Sequence, residues 1–240
     1  MKLSKLSYAV VVASLMAAGA AQAAVTTTGS VAFTTDYKFR GISQSNTNAA
    51  VQGSMTMAHD SGVYFTAWGS SIANAAGGME LDTLLGYAGT SGDIGYDVGV
   101  MRYNYPGADG SVGKLSYNEV YGSVSAKGAK LGVAYSDDYY AESGKFLYVY
   151  GAYATEVYKG FGVVASVGLN QFDNAAGLIK AGIPNSGSNE DSYIDYKVGV
   201  TKSVEGIGFE LAYIGSDVAS ADDSTNLGEG VAVLTATKAF

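Results

Sequence analysis

A chain of 240 residues with 33 Gly, 19 Tyr, 2 Pro and only 15% charged side chains is too glycine-rich and too sparsely charged for an ordinary cytosolic enzyme. The absence of cysteine excludes thiol chemistry and a disulfide framework. Acidic residues outnumber basic ones 22 to 14, for a formal net charge of −8, which argues against nucleic acid as a partner because phosphate binding needs clustered Lys and Arg.

Lys2 and Lys5 precede an apolar run from Tyr8 to Met16, and small residues then lead to Ala21-Gln22-Ala23. This is the layout of a secretory signal peptide, residues 1–23, cleaved after Ala23. The apolar run is far shorter than the ~20 residues that span a bilayer. Residues 24–240 are expected to form one domain. They hold no stretch of 18 consecutive apolar residues, so a helical membrane protein is excluded.

From Gly29 the chain alternates. Val31, Phe33, Tyr37 and Phe39 are apolar or aromatic, while Ala32, Thr34, Asp36, Lys38 and Arg40 are small, polar or charged. A period of two predicts a strand over 29–41 with one face in oil and one in water. The same pattern returns at 49–59, 62–71, 79–89, 94–105, 116–126, 129–137, 145–156, 160–171, 191–203, 206–215 and 230–240. No amphipathic helix lies between these stretches to cover their apolar faces. Such faces point into lipid, and a sheet in lipid must close so that no edge is left unpaired. The expected fold is all-β: an antiparallel, up-and-down transmembrane barrel of twelve strands in the bacterial outer membrane. A soluble sandwich or lipocalin-like barrel would turn its apolar faces inward. Here one face carries Asp36, Lys38, Arg40, Gln52, Glu80 and Asp82, and the other is almost free of charge.

The links alternate in length. His59-Asp60-Ser61-Gly62, Gly89-Thr90-Ser91-Gly92-Asp93, Lys127-Gly128, Val157-Tyr158-Lys159 and Val204-Glu205 are short. Ile42 to Asn48, Ser71 to Gly78, Pro106 to Leu115, Asp138 to Gly144, Phe172 to Glu190 and Ser216 to Glu229 are long and polar. Tight periplasmic turns and long extracellular loops alternate in this way in outer-membrane barrels. Both prolines, Pro106 and Pro184, fall in long links, where no ladder hydrogen bond is lost. In the 94–105 stretch the outward series Tyr96, Val98, Val100 runs into Arg102 and Asn104, which predicts a bulge that turns Arg102 inward. The chain ends on Phe240, similar to the terminal aromatic by which the barrel-assembly machinery recognises its clients, although Lys238 stands where a second large apolar residue is usual.

The run TDYKFRGISQSNTNAAVQGSMTMAHDSGVYFTAWGSS, with MELDTLLGYAG (79–89), YNYPG (103–107), YNEVYGSVS (117–125) and YIDYKVGV (193–200), resembles the TorF family of porins. Its most specific part is Tyr37 to Gln44 with Val51-Gln52-Gly53, and Ala49 departs from the proline the family favours. The resemblance implies an outer-membrane barrel with a pore, bathed in outer-membrane lipid and lipopolysaccharide.

On the inward face the alternation places Asp36, Lys38, Arg40, Gln52, Glu80, Asp82, Glu119, Asp195, Lys197 and Glu210 as candidate pore-lining residues. Opposed basic and acidic walls would select permeating solutes. Alternatively, Lys38 and Arg40 pair with Glu80, Asp82 or Glu119 across a narrow lumen and hold it closed. Inward Tyr148 and Tyr150 fill the lumen or form a sugar-stacking track. The single histidine, His59, lies in a His-Asp-Ser-Gly stretch that turn chemistry explains, so no catalytic residue, cofactor or metal site is assigned. The acidic loop residues Asp137, Asp138, Glu142, Glu190, Asp191, Asp222 and Asp223 match no calcium-loop spacing. The functional expectation is passive diffusion of small polar solutes or ions. The alternative is a narrow or plugged barrel acting through its loops, of which Phe172 to Glu190 either folds into the lumen or stands outside.

Overall fold

The computed structural model of the chain describes residues 25–108, 110, 114–183, 189–218 and 225–240. The expected signal peptide, Pro184, Asp222 and Asp223 lie outside the described residues. Twelve strands close into one antiparallel barrel: β1 (Val25–Thr34), β4 (Ala50–His59), β5 (Val63–Ser71), β6 (Met79–Ser91), β7 (Ile94–Asn104), β8 (Tyr117–Ala126), β9 (Ala129–Ser136), β10 (Phe146–Tyr158), β11 (Phe161–Phe172), β12 (Ser192–Val204), β13 (Ile207–Ser216) and β14 (Val231–Ala239). Each pairs with its neighbours in sequence, and β14 returns to β1 with Ser30 opposite Ala239 and Thr34 opposite Thr235. Reciprocal bonds between Gly29 and Phe240, both 2.9 Å, extend that seam. Two further short strands, β2 (Lys38–Phe39) and β3 (Ile42–Ser43), form a hairpin of their own, and one six-residue helix, α1 (Ala175–Lys180), sits in the β11–β12 loop.

The period of two decides which side chains meet water. On β6, Met79, Leu81 and Leu85 are 47%, 41% and 53% exposed, while Glu80, Asp82 and Leu84 between them are buried. Val31, Phe33, Val51, Val98, Val100, Val120, Leu131 and Val198 continue the exposed apolar belt around the barrel. An apolar outer surface of this extent fits lipid, and closure leaves no unpaired edge inside it.

The short links are tight. Lys127-Gly128, Lys159-Gly160 and Glu205-Gly206 each place both residues at positive φ, as two-residue hairpins of the I′ kind require. Two of these turns therefore lie one residue later than the sequence spacing predicts, because the glycine belongs inside the turn. A bulge between Glu156 and Tyr158 takes up the difference on β10. The expected bulge in the fifth candidate strand is absent. β7 keeps one register against β6 and β8 throughout, so Arg102 stays on the outer face, where it bonds Asn104 and Asn118 at 3.0 Å each.

The larger correction concerns the first strand. The sequence predicts it over 29–41, but β1 ends at Thr34, and Asp36, Lys38 and Arg40 belong to the β2–β3 excursion. Alternation continues past Thr34 because the hairpin arms are themselves extended.

Candidate functional site

The loop that carries β2 and β3 turns into the barrel at its long-loop rim. Thr34 Oγ1 donates to the Asp36 carbonyl at 2.8 Å, and Asp36 Oδ1 accepts from Ser43 Oγ at 2.6 Å and Ser45 Oγ at 2.9 Å. The Tyr37 amide donates to Ser45 Oγ and Gln44 to the Tyr37 carbonyl, which fastens the hairpin base. At the tip Arg40 (φ 49°) and Gly41 (φ 80°) make the reversal. A side chain at Gly41 would meet the Gly215 carbonyl and Asp195, so the tip runs close against the β12–β13 wall.

A twelve-stranded barrel with strands ~4.8 Å apart and tilted by ~40° has a backbone diameter of about 24 Å. Extended chain from Thr34 to Arg40 reaches about 20 Å. The hairpin thus crosses the lumen. β9 is diametrically opposite β1, and Arg40 lands on the strands either side of it. Its Nη1 and Nη2 donate to Glu119 Oε1 and Oε2 on β8 at 2.8 and 2.9 Å, a bidentate pair. Its guanidinium carbon lies 4.4 Å from the ring centre of Tyr148 on β10 and 4.8 Å from that of Phe146. Tyr103 hydroxyl donates to the same carboxylate at 3.1 Å. Burial works to lower the Arg40 pKa, but the facing Glu119 carboxylate outweighs it and the net shift is upward, so Arg40 stays charged.

Around this pair an apolar and aromatic cluster fills the long-loop end of the lumen. Ile42 of β3 joins Tyr103, Tyr117, Tyr139, Phe146 and Phe172, with Tyr103 stacked on Tyr117 at 4.3 Å and Tyr139 on Phe146 at 4.0 Å. Leu178 of α1 and Ile183 are buried in the same cluster while Ile179 is exposed, so residues 175–183 of the β11–β12 loop turn inward with two of the three residues of its apolar patch.

The other expected lumenal residues fall into separate groups. Lys38 turns to the β13–β14 loop, donating to the carbonyls of Leu227 and Glu229 at 2.8 Å each, with Asp36 3.9 Å away. Asp195 on β12 accepts from Asn170 at 2.8 Å and Tyr148 at 3.3 Å. Lys197 pairs with Glu210 at 3.1 Å in the more open short-turn half. Gln52 on β4 donates to Ser70 at 3.4 Å. Glu80 and Asp82 are buried on β6, and Tyr105 hydroxyl donates to Glu80 Oε1 at 3.1 Å. Tyr37 faces both carboxylates; burial, then Glu80 and Asp82, hold its pKa well above the usual phenol value, so it remains a donor. Tyr148 and Tyr150 stack on one another at 5.2 Å. His59 Nδ1 bonds Ser61, both its hydroxyl and its amide, within the turn.

Sequence reasoning missed Tyr103, Tyr117, Tyr139 and Asn170 as members of the site. The YNYPG and YNEVYG stretches hold two of these tyrosines at the start or end of a strand, but only closure of the barrel brings them together.

Fold and site define a twelve-stranded transmembrane-type β-barrel whose long-loop mouth is occupied by its own first loop. Within that class the chain belongs to Gcw_chp, a bacterial protein family of unknown function, whose sequence model matches residues 17–240. No curated protein matches it. Among solved structures, a chain from a study of in-meso crystallisation of membrane proteins is 10% identical with a TM-score of 0.54, covering 89% of this chain and 83% of that one. NanC porin is 9% identical with a TM-score of 0.46 over 89% and 98% of the two chains. LpxR from Salmonella typhimurium is 11% identical with a TM-score of 0.47 over 89% and 99%.

Proposed function

We propose that the protein is an outer-membrane channel for passive diffusion of small polar solutes or ions, constricted at its extracellular mouth by the β2–β3 hairpin. The observation that carries this reading is the Arg40–Glu119 pair, which ties the tip of the loop to the opposite wall of the lumen. A pore needs such a constriction to discriminate, and a polar interior to pass solutes. Lys197, Glu210, Thr56, Thr66 and Asp97 supply polar groups toward the short-turn half. The likeness of Tyr37 to Gln44 to the TorF porins supports the same reading. Export by the signal peptide, lipopolysaccharide around the extracellular rim and engagement of the assembly machinery by β14 with Phe240 belong to it. No chemical step is assigned, since His59 is engaged within its own turn.

The packed aromatic cluster favours a second reading, in which the plug is permanent and the outer loops serve a structural or receptor role. Single-channel recording of the refolded protein in planar bilayers separates the two. Small discrete steps for the wild type, larger or longer-lived for Arg40→Ala, are expected. A folded barrel giving no steps in either form overturns the channel.

A further inference from the structure

Several carboxylates inside the barrel meet a basic group or hydroxyl and amide donors: Asp97 accepts from Tyr64 at 2.7 Å and Glu80 Oε1 from Tyr105 at 3.1 Å. Glu119 has Arg40, Glu210 has Lys197, Asp36 has two serine hydroxyls and the neighbouring Lys38, and Asp195 has Asn170 and Tyr148. Glu80 and Asp82 enter no ion pair among the described residues. The residues beyond 24 that lie outside the description include no Lys or Arg. Yet Glu80 is only 1% exposed and Asp82 6%, and Glu80 Oε2 and Asp82 Oδ1 each lack a hydrogen-bond donor while sealed from solvent. Burying two neighbouring carboxylates without a compensating charge is strongly unfavourable, so this pair takes up either a cation or a proton.

We propose that Glu80 and Asp82 bind one small divalent metal ion inside the barrel, beneath the hairpin. This deepens the channel reading above and names divalent cations as the class of ion that enters it. Glu80 and Asp82 are two apart on one strand, so their Cα atoms are about 6.6 Å apart on the same face. That span suits one ion held between two carboxylate oxygens at ~2.3–2.6 Å each. The donor set is oxygen only, which selects calcium or magnesium over softer metals. Enclosure by Tyr37, Trp68, Tyr103 and Tyr105 admits a bare ion rather than an organic cation: Tyr37 packs on Trp68 at 5.4 Å, and Trp68 and Tyr103 are the cross-strand neighbours of Asp82. With two protein carboxylates the expected affinity is in the weak range of extracellular sites, about 10⁻⁴–10⁻³ M.

The protein carries its own reporter, because Trp68 is the single tryptophan of the chain and sits across the ladder from Asp82. The refolded full-length barrel in detergent micelles, stripped with a chelator, is titrated with calcium chloride at constant ionic strength while Trp68 emission is read. A saturable change is expected for the wild type, with the midpoint raised at least about tenfold in Asp82→Asn and unchanged in Lys145→Gln on the outer rim. No saturable response in folded wild type overturns the site. So does an identical response in Asp82→Asn, or in Glu80→Gln should the first variant not refold. Emission that titrates with pH and ignores calcium assigns a shared proton instead and equally overturns it. A saturable response in a barrel that conducts nothing keeps the site and discards the channel, whereas conductance without a response does the reverse.

Discussion

Arg40 is the residue on which the lumen turns. Its guanidinium is nearly buried, as is Glu119, and removing one member of such a pair strands the other charge in a dry interior. Arg40→Ala is expected to destabilise the folded barrel by about 3–5 kcal/mol in urea unfolding. Arg40→Ala with Glu119→Gln should cost clearly less than the sum of the two single changes, since the stranded carboxylate is then neutral. Additive costs would mean that the two side chains do not act as a pair. The residue types were legible, because a Lys and an Arg among aromatics on an inward face belong either to a pore wall or to an ion pair. Which acid each would meet was not legible. Lys38 and Arg40 are neighbours in sequence, yet one turns to carbonyls of the β13–β14 loop and the other to β8. Only the path of the hairpin separates them.

At the scale of elements, the hairpin is an insertion that the barrel does not need. The ladders of β1 with β4 and β14 run through Ala50 and Thr34 and involve nothing from 36 to 45. Replacing 36–45 by a short Gly/Ser linker is therefore expected to leave a barrel with unchanged far-ultraviolet circular dichroism and a larger single-channel conductance. An unchanged conductance would place the constriction in the Tyr139, Phe146 and Leu178 cluster instead. The sequence hid this element because period two marks extended chain of any kind. Val31 to Phe39 alternates with Thr35 as the one interruption on its apolar face, so a strand that continues upward and an arm that folds back look nearly the same. The clue lay in Arg40-Gly41, a two-residue turn signal inside an apparent strand, and in Asp36 with Ser43 and Ser45, which can clasp a hairpin base. The glycine after Lys159 and after Glu205 marks two other turns in the same way.

For the whole molecule, the outer belt is the property that makes the fold a membrane fold. Val100 is half exposed on β7, inside the apolar series that ends at Arg102. A Val100→Arg substitution is expected to destabilise the barrel refolded in lipid vesicles by about 2–4 kcal/mol if Val100 lies at the midplane. A cost near zero would place that position at the headgroup level, beside Arg102. The strand number, the alternation of tight and long links, the lipid-facing surface and eleven of the twelve barrel strands to within about two residues follow from the sequence alone. They are set by local alternation and turn chemistry, which each segment carries in itself. Tertiary structure alone decided that the long-loop mouth of the lumen is occupied, that Arg40 reaches Glu119, and that Glu80 and Asp82 have no cationic partner among the described residues. Those facts depend on closure, which places strands distant in sequence on opposite walls of one narrow space, and no property of a single strand records what it will face across the lumen.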